Sequence, residues 1–154
     1  MWRAIFLIIA LILATSACSP GSNISERQVK GTIMRYNQLL TDGFKNMNMT
    51  PLQEVATPEQ AQKEYYLMAA LGEGKVWMES RLKDIRFLAV RFPSESDVLV
   101  TTREKWDYSH RDIATGKTVK EVKDVVYELS YQLKRTNRGW VVTSVGESAS
   151  GKIK

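Results

Sequence analysis

The hydrophobic period of this chain changes near Gly74, from steps of three and four upstream to steps of two downstream. A repeat of about 3.6 residues belongs to a helix and a repeat of about two to a half-buried strand. The change therefore divides the chain into a helical part followed by a sheet part. Upstream, Val29, Ile33, Tyr36, Leu40, Phe44 and Met47 lie on one helix face. Ser25 is expected to cap that helix, with Gln28 reaching back three residues later. Two further start signals follow, Thr50-Pro51-Leu52-Gln53 and Thr57-Pro58-Glu59-Gln60, each with a capping Thr and Pro at the first helical position. The first opens a single turn. The second leads into Ala61, Tyr65, Met68 and Leu71, and Gly72-Glu73-Gly74 supplies permissive backbone to end the helix.

Downstream, stretches rich in β-branched and aromatic residues are separated by turn chemistry. Strands are expected over residues 82–92, with 75–81 as the approach, then 98–108, a third strand, and 140–145. The turns fall at 93–97, 114–117 and 136–139. In the third strand, Val125, Tyr127, Leu129, Tyr131 and Leu133 alternate with Val126, Glu128, Ser130, Gln132 and Lys134, which buries one face and leaves the other mostly wet. Helices first and short-looped strands afterwards define an α+β fold, with helices packed on one face of an antiparallel sheet of about four strands.

The N-terminus carries an address. Arg3 is followed by an unbroken apolar run to Ala14, then by Thr15-Ser16-Ala17 before Cys18, the one cysteine of the chain. The run is shorter than the roughly 20 residues a helix needs to cross a bilayer, and reads as a removable export signal. It resembles the bacterial lipoprotein signal, in which a cysteine after small residues is diacylated and becomes the N-terminus. Thr15 stands where that family usually has Leu. Three outcomes stay open: lipidation at Cys18, ordinary cleavage with a free thiol, and an uncleaved anchor. All place the domain outside the cytoplasm. The resemblance implies a lipid-anchored protein of the bacterial cell envelope, and Ser19 after the cysteine implies the outer membrane, facing the periplasm.

Four segments follow: signal peptide 1–17, lipidated cysteine and polar tether 18–24, one domain 25–146, and a disordered tail 147–154. The net charge of +5 falls by one when Arg3 leaves. Basic and acidic residues are interleaved, as in Arg103-Glu104-Lys105 and Lys120-Glu121-Val122-Lys123-Asp124, which is a solvated face and not a phosphate-binding stripe. Nucleic acid is not an expected partner. With the cysteine committed to lipid, no internal disulfide is available and burial must supply the stability.

The order of elements resembles the nuclear transport factor two-like superfamily, also called the cystatin-like cone. The residues that carry the likeness are Ser80-Arg81-Leu82-Lys83-Asp84-Ile85, Glu104-Lys105-Trp106, and Tyr131-Gln132-Leu133 leading through Asn137-Arg138-Gly139 to Trp140-Val141-Val142. Within it the chain is most similar to the plastid-division and inner-membrane-space type domain. The resemblance implies a strongly curved sheet around a helix layer, enclosing a conical cavity. It also implies a noncatalytic module, binding an envelope protein or a small apolar ligand.

Chemistry is sparse. His110 is the one histidine, so sites built on several histidines are excluded; it is expected in a loop after the second strand, flanked by Asp107 and Asp112. Tyr65 and Tyr131 are aromatic candidates for the inner wall, and Trp106 for a cavity wall or core filler. Glu104 is the acid expected to lie centrally in a strand. Its neighbours Arg103 and Lys105 point to the opposite face, so a buried Glu104 needs a partner from elsewhere. No phosphate loop, nucleophile elbow or metal loop is present, and no cofactor is expected. The alternative to a binding module is an isomerase or cyclase-like enzyme that uses a cavity acid.

Overall fold

A computed structural model describes residues 20–148. Cys18, the export signal and residues 149–154 of the tail lie outside the described residues. Helix α1 is Pro20–Asn46, followed by a short 3-10 turn, Thr50–Glu54, and helix α2, Pro58–Glu73. Four strands then run as β1 Val76–Arg91, β2 Asp97–Asp112, β3 Thr118–Thr136 and β4 Gly139–Glu147. The sheet order is β1-β2-β3-β4, antiparallel throughout, a plain meander. The α+β architecture read from the change of period is the one observed.

Several boundaries move. Helix α1 begins at Pro20, so Ser25 is an interior residue and not its cap, and part of the expected tether is helical. Once a helix is anchored by packing, each added residue gains a hydrogen bond without a new nucleation cost. At the 3-10 turn the cap is Met49 instead of Thr50, with no side-chain cap bond. Thr57 does cap α2, accepting from the Gln60 N–H at 3.4 Å. The helix stops without a left-handed glycine: Gly74 has φ −73°, and Lys75 takes the positive φ of 57° instead. The strands are longer than their hydrophobic stretches, because polar residues on the open ends of a ladder still pair through their backbones. Glu147, expected in the tail, therefore belongs to β4.

The apolar stripe of α1 lies on the inner face of the sheet. Val29, Ile33, Tyr36 and Phe44 are buried there, with Leu39 beside them. They meet Val98 and Val100 of β2, Tyr131 and Leu133 of β3, and Trp140 and Val142 of β4 in one core. Register breaks at Leu82/Asp84 and Phe87/Ala89 on β1, and at Trp106/Tyr108 on β2, interrupt the ladders. Such irregularities raise local twist and bend a sheet, which here curves it around the helices. At one of them Asp124 has a φ of 59°, and its N–H is taken by Asp107 Oδ1 at 3.0 Å. The outer edge of β4 is partly covered: Thr57 N donates to Val142 O, and Val142 N to Val55 O. That short parallel bridge protects an otherwise open edge.

Candidate functional site

The inner face of β2 explains the site. Val98, Val100, Thr102, Glu104 and Trp106 alternate inward, and all are buried. The first two sit beneath α1 in the core. Of the next three, Glu104 and Trp106 form the floor of a cavity of about 520 Å³ between the helices and the curved sheet, and Thr102 is fully buried against Glu104. Opposite them in the β2–β3 register stand Leu129, Tyr127 and Val125, which line the same space. Leu40, Phe44 and Leu67 close it from the helix side.

Glu104 is 1 % exposed, and every group bound to it is neutral. Tyr131 donates its hydroxyl to Oε1 at 2.8 Å and Thr102 donates at 2.9 Å. The Asn37 amide adds a longer bond of 3.4 Å from α1. Trp106 Nε1–H occupies Oε2 at 2.8 Å. Four donors on two oxygens satisfy a buried carboxyl group without a cation, and bonds to a charged acceptor are among the stronger ones in proteins. Burial, and then the neighbouring Glu104, push the Tyr131 hydroxyl well above its ordinary pKa, so it stays a donor.

A second polar group lies on the helix side. Gln60 Nε2 donates to the Tyr36 hydroxyl at 2.8 Å and to Glu64 Oε1 at 2.9 Å, and Tyr36 donates to the same oxygen at 3.2 Å. Burial pushes the Glu64 carboxyl above the usual carboxylate range, against the hydrogen bond from Tyr36, the charge of Lys63 and the hydrogen bond from Gln60. Tyr36 is raised as well, mainly by burial. The aromatic wall is continuous: Trp106 stacks on Tyr108 at 5.9 Å, and Tyr108 meets the edge of Tyr127 at 6.2 Å.

Four of the five sequence candidates for the cavity converge on it: Glu104, Trp106, His110 and Tyr131. Tyr65 does not. It is 50 % exposed and lies beside Tyr66 on the outer side of α2. The inward face of that helix is Gln60, Ala61, Glu64 and Met68, rotated by part of a turn from the stripe that included Tyr65. His110 is also repositioned: it is a residue of β2 itself, paired with Met78 and Lys120, and stands at the cavity rim. Reading the chain missed Glu64, whose signal was the i, i+4 pair Gln60 and Glu64 on a helix packed beside Tyr36. Among the described residues no group of three or more His, Cys, Asp or Glu is placed to hold a metal ion.

Two helices on an open, curved, four-stranded antiparallel sheet with a cavity between them make the NTF2-like cone fold. The intermembrane space region of chloroplast protein ARC6 superposes with a TM-score of 0.68 at 14 % identity, over 79 % of this chain and 94 % of that one. An NTF2-like superfamily protein from Salmonella enterica matches with a TM-score of 0.57 at 14 % identity, over 86 % of this chain and 94 % of that one. A periplasmic fragment of TraM matches at 0.53 and 10 % identity, over 75 % of this chain and 94 % of the fragment. No protein-family model and no curated protein sequence matches the chain. At these identities the shared property is the fold.

Proposed function

We propose that this chain is a lipid-anchored envelope protein whose cone takes up a small apolar ligand without transforming it. The observation that carries the ligand reading is the cavity itself: it is open, walled by aromatic and aliphatic side chains, and floored by an acid whose oxygens are already filled. An apolar pocket with a few fixed polar groups is the usual form of a small-molecule site. A Glu104 saturated by four donors has a structural role and is poorly placed to take a proton from a ligand. Anchoring rests on the Cys18 signal, and the extracytoplasmic placement is supported by neighbours that are a periplasmic fragment and an intermembrane space region. No helix among the described residues is long and apolar enough to cross a membrane.

Two experiments test the two halves. N-phenyl-1-naphthylamine, a neutral apolar dye that brightens in dry sites, is expected to bind saturably at one per chain, and Val125→Trp to abolish the signal by filling the cone. Non-saturating fluorescence, or binding untouched by that substitution in a folded variant, contradicts the ligand reading. Mass spectrometry of the native N-terminus should find an acylated Cys18 in the membrane fraction; a free thiol in soluble material defeats the anchor.

Glu64 favours a second reading, an isomerase or cyclase-like enzyme, because it is a cavity acid with one carboxylate oxygen free of donors among the described residues and a pKa that burial raises. Its test is deuterium exchange at the α-carbon of cyclic β,γ-unsaturated ketones, the sp3 carbon between the carbonyl and the alkene. Exchange no faster than buffer is expected, and exchange that disappears in Glu64→Gln would establish the enzyme instead.

A further inference from the structure

The cavity is apolar in its walls but one-sided in its charge. Two carboxyl groups face it from inside, Glu104 on the floor and Glu64 on the helix side. They differ in what they leave free. Both oxygens of Glu104 are occupied by donors, whereas the hydrogen bonds to Glu64 all fall on Oε1, so Oε2 has no donor among the described residues. Glu64 is only half-buried, which leaves that oxygen room to meet a ligand. Around it the wall presents tyrosine and indole rings, whose faces carry negative potential and attract cations. Lys120 lies at the mouth and is exposed, and His110 is on the rim; a long lysine there keeps its ammonium in water.

From this arrangement we infer that the preferred ligand is an organic cation, an amine carried on an apolar or aromatic body, with its ammonium on Glu64 Oε2 and its body against the Trp106–Tyr108–Tyr127 wall. The inference deepens the small-ligand reading and rests on it. An anionic amphiphile of the same shape would meet both cavity carboxyl groups, offset only by Lys63 beside Glu64 and Lys120 at the mouth, and a neutral one would leave Oε2 unpaired when the ligand displaces water from it.

The test is calorimetric titration of the full chain with three probes of nearly one shape: 1-naphthylmethylamine, 1-naphthalenemethanol and 1-naphthoate at pH 7.5. The amine is expected to bind about tenfold tighter than the alcohol, as one charge-assisted contact beside aromatic faces implies, and the carboxylate weakest of the three. In Glu64→Gln the amine-to-alcohol ratio should fall toward one. Equal affinities for amine and alcohol in the unmodified chain, or a preference for the naphthoate, would overturn the cation assignment while the cavity reading stands. Failure of all three probes to bind would overturn both.

Discussion

Glu104 shows how one buried acid organises a site. Its central place in a strand was legible in the sequence, and the outward Arg103 and Lys105 made clear that neither of them is its partner. Two of its donors, Thr102 and Trp106, stand two residues away on β2 itself, whereas Asn37 and Tyr131 are 67 and 27 residues away in the chain and were not legible. Glu104→Ala leaves a buried indole N–H and a threonine hydroxyl without their acceptor and leaves the Tyr131 phenol only its longer bond to Asn37 Oδ1, at 3.2 Å, and is expected to cost about 3 kcal/mol or more in urea unfolding. Tyr131→Phe removes one of the four donors and should cost about 1–2 kcal/mol. If the two losses simply add in the double variant, the network is not coupled as described. Acids elsewhere respond to pH with opposite signs. The Asp124 N–H and the Arg81 guanidinium hold the Asp107 carboxyl down at about 2, so its contribution is full above the ordinary carboxylate pKa and fades as pH falls toward 2. Asp107→Asn should therefore be less stable than the unmodified chain at pH 6 and converge with it near pH 2. Burial raises Glu64, so its contribution is full below the ordinary glutamate pKa and is lost as pH rises through the raised value. Glu64→Gln is expected to be the more stable chain at pH 8, with the difference vanishing near pH 4.

At the scale of elements, periodicity identified both helices and the third strand, and β-branched and aromatic stretches between turn signals identified the other three strands, since the core selects apolar side chains on the buried face. Ends were harder to read, because backbone pairing continues where side chains no longer report burial. His110 is the instructive case: Ser109, His110 and Arg111 look like a loop by composition, yet they pair with both β1 and β3. Tyr65 erred the other way, since an aromatic side chain on an amphipathic helix suggested the inner face while the adjacent polar pair Gln60 and Glu64 occupies it. The start of α2 combines local and tertiary roles: the Thr57 side chain caps the helix, and its N–H pairs with Val142 on the edge of β4. Thr57→Ala removes only the cap and is expected to cost about 1 kcal/mol, read from the midpoint of chemical denaturation. Thr57→Ser, which keeps the hydroxyl, should recover most of it. A Ser variant as unstable as the Ala variant would show that the methyl group, and not the cap, is what matters.

Over the whole molecule, the curved sheet and the two helices define a container, and its contents follow from which side chains the meander turns inward. The strand order and short hairpins were readable from turn chemistry, but the openness of the cone was not, since cavity volume depends on how far α1 and α2 stand from the bent sheet. A fold of this kind hosts many functions, so the case for a binding module rests on the wall, the saturated floor acid and the half-buried Glu64. The most direct measurement is intermolecular NOE spectroscopy on the full chain with bound N-phenyl-1-naphthylamine. Contacts from the dye to the Trp106 indole and to the methyls of Leu40 and Leu129 are predicted; contacts confined to Tyr65 and Tyr66 on the outer side of α2 would contradict the cone as the binding site.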